Sequence, residues 1–163
     1  MADDLYCSDA SSIIRLKQDF PRKVFPAVWE KVEELIRVGR LIAPDEVYRE
    51  IEKDDVLSPW AKKHKKMFVK PDQQQIDAAK DVASRFPSLA KPGRFGPAAD
   101  PFVVGLAHLQ TQKQPNSLYA PGAECFVVTE ERGPASIPGA CKQYKLTCIS
   151  LVEVFEREGW VFR

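Results

Sequence analysis

Histidine is scarce, with two among 163 residues. Neither His64 nor His108 has a partner at metal-ligand spacing, so zinc binding and imidazole acid–base catalysis lack support. Four cysteines occur, but Cys7, Cys125, Cys141 and Cys148 form no CxxC pair, and without an export segment their even number does not make a disulfide framework. No export segment reads at the start, because Met1 to Asp4 is acidic and the apolar run Leu5 to Cys7 is short. No run is long and apolar enough to cross a bilayer. The GxSxG elbow of a serine hydrolase is missing. Net charge is nearly missing too, at +1, so whole-molecule attraction to nucleic acid is weak and any such binding needs a local patch. The expectation is a protein of the reducing cytoplasm with no membrane role.

What is present is an ordinary globular composition, 44% hydrophobic and 29% charged, in a length that suits one domain over residues 1–163. Leu5 to Ser8 reads as a buried strand giving way to a helix at Asp9. From Phe25 to Val38, Phe25, Val28, Trp29, Val32, Leu35 and Ile36 recur at helical spacing, and Gly39 stops the helix. Leu41 to Ala43 makes a second strand, and Pro44 opens a helix with Val47, Tyr48 and Ile51 on one side. Trp60 to Phe68 and Asp72 to Phe86 read as helices. Pro87 to Pro97 is a surface loop and candidate mobile lid. Asp100-Pro101 starts a helix through Leu109, and Gln110 to Gly122 reads as a polar connection. Cys125 to Val128 is a strand apolar on both faces, Thr147 to Ile149 another, followed by a helix over Ser150 to Arg157. Strands alternating with helices imply an α/β fold of three layers, α/β/α, with a central, mainly parallel sheet. Sites in such sheets lie beyond the carboxyl ends of the strands.

Asp9, Glu46 and Asp100 stand at comparable places: the end of the first strand, the first turn after the second, and the start of a helix. Each has a bland reading as a cap or a partner of the helix dipole. Together they are harder to dismiss. Carboxylates within about 6 Å of one another repel by about 3 kcal/mol per pair at an effective dielectric of about 20, and a hard cation with oxygen ligands offsets that.

Three segments carry a family resemblance: Tyr6-Cys7-Ser8-Asp9-Ala10-Ser11-Ser12-Ile13-Ile14, Pro44-Asp45-Glu46-Val47-Tyr48-Arg49-Glu50-Ile51 and Ala99-Asp100-Pro101-Phe102-Val103-Val104-Gly105-Leu106-Ala107. Val127-Val128-Thr129-Glu130 and the ending Gly159-Trp160-Val161-Phe162 extend it over nearly the full length. The chain resembles the PIN-domain nucleases, and within them a branch of prokaryotic toxin-type proteins carrying a domain of unknown function. The resemblance implies a Mg²⁺- or Mn²⁺-dependent endoribonuclease, the toxin of a toxin–antitoxin pair, with RNA as substrate and a cognate antitoxin as partner. It also allows a homodimer. By the resemblance Asp9, Glu46 and Asp100 fall on the family's main acids and Glu130 on its more variable fourth, as catalytic and metal-holding residues. Ser11 matches a small polar residue that supports the first Asp, and stands with Lys91 and Arg94 on the substrate side. Ala10 replaces the usual Thr or Ser, and Glu130 stands where Asp is commoner.

Other residues have plainer readings. Lys62, Lys63, Lys65 and Lys66 around His64 make the densest basic run, read first as a solvated helix face; Lys91 and Arg94, just before Asp100, are better placed for phosphate contacts. Cys7, Cys125 and Cys148 read as small core residues, and Trp29, Trp60 and Trp160 as core packing. Two competing functions remain: a catalytically silent PIN-like module that binds RNA or protein, and a DNA nuclease, disfavoured because no helical arch or second DNA-binding domain is visible.

Overall fold

The computed structural model describes residues 4–91, 98–113 and 124–163. Its centre is β1 (Leu5–Ser8), which pairs in parallel with β2 (Leu41–Pro44) on one side and β4 (Cys125–Val128) on the other. Tyr6 lies opposite Leu41 and Phe126. β3 (Phe68–Val69) and β5 (Thr147–Ile149) complete a five-stranded, all-parallel sheet in the order β3-β2-β1-β4-β5. The expected α/β architecture holds, and the sheet is wholly rather than mainly parallel. β1 and β4 are buried almost throughout, as strands covered on both faces must be.

The helices are α1 (Ala10–Asp19), α2 (Pro26–Arg37), α3 (Asp45–Ile51), α4 (Leu57–Lys63), α5 (Gln73–Arg85), α6 (Asp100–Lys113), α7 (Ile137–Gln143) and α8 (Leu151–Arg157). α1 packs with α3 and α8, whereas α6 packs with α5 and α7 and lies against β1, β2 and β4. The chain winds outward from β1 to β3, then returns through α5 and α6 to the far side of β1. That reversal leaves a crevice between the ends of β1 and β4, where binding sites of open parallel sheets form.

Local chemistry explains the boundaries. α2 ends in a Schellman turn: Gly39, at φ 78°, sits in the left-handed region, and the Arg40 and Gly39 amides return to the Leu35 and Ile36 carbonyls. Ser150 and Glu153 form a capping box at the start of α8.

Three sequence expectations change. The helix over Trp60 to Phe68 is instead α4, a 3-10 turn at Lys65–Met67 and the edge strand β3; two strand residues are too few to show an alternating pattern. The polar connection begins later than expected, because α6 runs on to Lys113, whose Gln and Lys residues favour helix wherever their side chains are solvated. α7 has no clear sequence pattern, since Pro138 and Gly139 read as breakers. Proline is tolerated in a first turn, and Gly139 is required because a Cβ there would meet the Pro134 carbonyl oxygen at 1.8 Å. The expected loop over Pro87 to Pro97 contains a 3-10 turn at Pro87–Ala90; residues 92–97, and with them Arg94, lie outside the described residues.

Candidate functional site

Asp9 follows β1 directly and caps α1. It is buried, at 2% exposure, and both carboxylate oxygens accept hydrogen bonds. Oδ1 takes the Ser12 amide at 3.0 Å and the Ser12 hydroxyl at 3.2 Å, and Oδ2 takes the Thr129 hydroxyl at 2.5 Å. The Ser11 hydroxyl lies 2.8 Å from both oxygens. Ser11 Oγ also accepts the Glu130 amide, and Thr129 Oγ1 the Glu131 amide, each at 3.0 Å. Each hydroxyl has one proton, and because its acceptor side faces a backbone N–H, that proton is directed at Asp9. Burial still raises the Asp9 pKa, against the lowering effect of Thr129, Ser12 and Ser11.

Asp100 opens α6 near the same crevice. Burial first, and then repulsion from Glu131, Asp9 and Glu50, push its pKa from 3.8 up to about 7. Glu50 is raised by desolvation, with Asp9 and Glu131 adding to the rise and the Ala99 amide offsetting part of it. Glu50 is an exposed residue, so its carboxylate stands at the rim of the crevice. Glu131 is raised by burial and by Asp9, while the Ile137 amide, 3.4 Å from Oε2, opposes the shift. Thus Asp9, Glu50, Asp100 and Glu131 repel one another in every pairing. No basic side chain among the described residues relieves any of the four.

The other end of the sheet is the contrast. Asp4 is fully buried, and its desolvation is outweighed by Arg157 at 2.8 Å together with the Glu124 amide, so its pKa is lowered. Burial acts on Glu158 the same way, and Arg40 at 2.7 Å and the Tyr6 hydroxyl bring it down. Carboxylates at that end have cations, whereas the four at the crevice have none among the described residues.

Of the residues expected from sequence, the structure brings Asp9 and Asp100 together and leaves Glu46 and Glu130 out. Glu46 is 6% exposed with Oε2 unpartnered; its pKa is raised by burial and by Asp45, with Arg49 opposing, and none of the four acids acts on it. The acid of α3 that reaches the crevice is Glu50, one helical turn further on, where α3 meets α1. Glu130 turns the other way from Glu131. Arg15 Nη1 meets both its oxygens at 3.0 and 2.9 Å, and the Leu151 amide donates to Oε1 at 3.0 Å. The partners of the two side chains lie on different sides, Arg15 and the Leu151 amide for Glu130 and the Ile137 amide and Asp9 for Glu131, so only the second faces the crevice. Ser11 supports Asp9, and Lys91 is exposed after the 3-10 turn. Glu50, Glu131, Ser12 and Thr129 went unassigned, although the first was one turn, and the second one residue, from an assigned acid.

Four oxygen donors without thiol or imidazole suit a hard divalent cation of the Mg²⁺ or Mn²⁺ type. Among the described residues no three acidic, imidazole or thiol side chains already stand at metal-holding distance, so the quartet is an open set.

Residues 6–162 match the sequence profile of a domain of unknown function, DUF4411. The chain belongs to that family. No curated protein matches it. The DUF4411 match runs from the central strand to the aromatic ending and so takes in all four crevice acids.

Proposed function

We propose that the chain is a metal-dependent nuclease acting on RNA phosphodiester bonds, with Asp9, Glu50, Asp100 and Glu131 holding Mg²⁺ or Mn²⁺. The observation that carries this is the uncompensated charge: four mutually repelling carboxylates at the switch point of a parallel sheet, where the acids of the opposite edge are paired with arginines. A bound cation supplies a more acidic water and stabilises charge that develops on phosphate oxygens.

The chain's own residues do the rest. Ser11, Ser12 and Thr129 hold Asp9 as an oriented acceptor. Asp100, with a pKa of about 7, keeps a proton near neutrality and releases it as positive charge arrives. Glu50 at the rim and Glu131 beside α7 close the acidic ring from two further elements. RNA rather than DNA as substrate, the toxin role and an antitoxin partner follow from the resemblance to PIN-domain nucleases.

The test is incubation of purified protein with defined RNAs in Mn²⁺, Mg²⁺ or chelator beside the Asp100→Asn variant. Cleavage is expected with metal and is expected to fall at least about a hundredfold in the variant. Metal-dependent cleavage that survives Asp100→Asn would remove this reading.

A further inference from the structure

Outside the acidic crevice, a cavity of about 570 Å³ opens between the end of α1, the start of α2 and α4. Trp29 and Trp60 meet edge to face at 5.7 Å behind it. Val56, 60% exposed, stands at its lip. Lys17, Arg22 and Lys23 line it as well. The Arg22 guanidinium lies over the Trp29 ring, 5.5 Å from its centre, and is fixed by two hydrogen bonds to Glu33. Glu33 also accepts the Trp60 indole N–H at 2.9 Å. Lys17 pairs with Asp54, and Lys23 is exposed with no ion pair among the described residues. Glu33 and Asp54 sit behind the lining side chains they hold, so the face offered is aromatic and rich in donors, with Lys23 the cation not engaged in an ion pair among the described residues.

We propose that this cavity is a subsite for a base and its phosphate in single-stranded RNA. A planar base finds an indole-backed guanidinium, and a phosphate finds the Lys23 ammonium beside that of Lys17, which is shared with Asp54, the combination used to hold unpaired nucleotides. The location fits. Asp9 and Lys17 stand at the two ends of α1, about 12 Å apart along its axis at the rise of an α-helix, a span that about two to three nucleotides of a strand entering the acidic crevice would cover. The inference rests on the nuclease reading for the presence of a strand, but it is separable from it by experiment.

The measurement is equilibrium binding of fluorescein-labelled oligouridylate and oligoadenylate to the full chain in chelator, followed by anisotropy and by tryptophan emission. Wild type is expected to bind with quenching, since two of its three tryptophans back the cavity. Lys23→Gln is expected to weaken binding and lower the salt slope by about one. Val56→Glu, which puts an anion at the lip, is expected to weaken binding about tenfold. Both positions are exposed, and circular dichroism checks that each variant folds. Binding without quenching, unaffected by both variants, overturns the subsite even where the same protein cleaves RNA in Mn²⁺, so the nuclease reading is then untouched. Quenching by an acidic aromatic peptide and not by either oligonucleotide also overturns it and assigns the cavity to a protein partner.

Discussion

Glu46 and Glu50 lie four residues apart on one short helix, yet their surroundings differ in kind. Glu46 is buried with an oxygen that has no partner, while Glu50 feels Asp9 and Glu131. Glu50→Gln is therefore expected to lower metal-dependent cleavage at least about a hundredfold, and Glu46→Gln to leave the metal requirement in place. Glu46→Gln is also expected to raise the melting temperature at neutral pH, because it removes a charge that burial disfavours. Thermal melts and cleavage assays on both variants decide between the two glutamates. Asp100 sets a pH dependence. Its folded pKa of about 7 exceeds the ordinary 3.8, so between those values the folded state binds more protons than the unfolded state, and stability falls as pH rises. At about 1.4 kcal/mol per unit, discounted for solvent screening, the loss is on the order of 2 kcal/mol by neutral pH. In chelator the metal-free protein should be more stable near pH 5 than near pH 8. Asp100→Asn should flatten that slope, and added Mn²⁺ should stabilise the wild type most at the higher pH.

At the scale of elements, the site is held by hydroxyls that join the first turn of α1 to the end of β4. Thr129→Val removes a donor to Asp9 and the acceptor for the Glu131 amide together. Metal affinity, read by calorimetry, is expected to fall about 10–100-fold while the fold persists. Gly139→Ala should act on the fold itself, because its Cβ has no room beside Pro134. A loss of about 2–4 kcal/mol in denaturant melts is expected. The sequence announced the longer elements well. α2, α5 and the buried run of β4 are long or apolar enough to show their period, and Asp9 and Asp100 are marked by the strand and helix they adjoin. It was silent where the determinant is tertiary. β3 is two residues long, and α7 contains two residues that break isolated helices. The choice of Glu50 over Glu46 depends on how α3 meets α1, and that of Glu131 over Glu130 on which neighbour faces Arg15. No local pattern encodes either.

For the whole molecule, charge is sorted by sheet edge. Arg157 and Arg40 neutralise Asp4 and Glu158 at the amino ends of the strands, with Arg157 4.1 Å from the Phe126 ring centre, while at the carboxyl ends Arg15 is paired with Glu130 and no cation among the described residues offsets the four crevice acids. A near-zero total therefore conceals a polar molecule. The order of synthesis adds a further consequence. β1 lies mid-sheet, and its partner β4 is made more than a hundred residues later, as the pairing of Leu5 with Cys125 shows. A nascent chain carries that strand with one side open until Val128 has left the ribosome, and such distant pairings slow folding. Asp9 and Glu131 meet only after that closure, so a product truncated before the end of β4 cannot assemble the acidic ring.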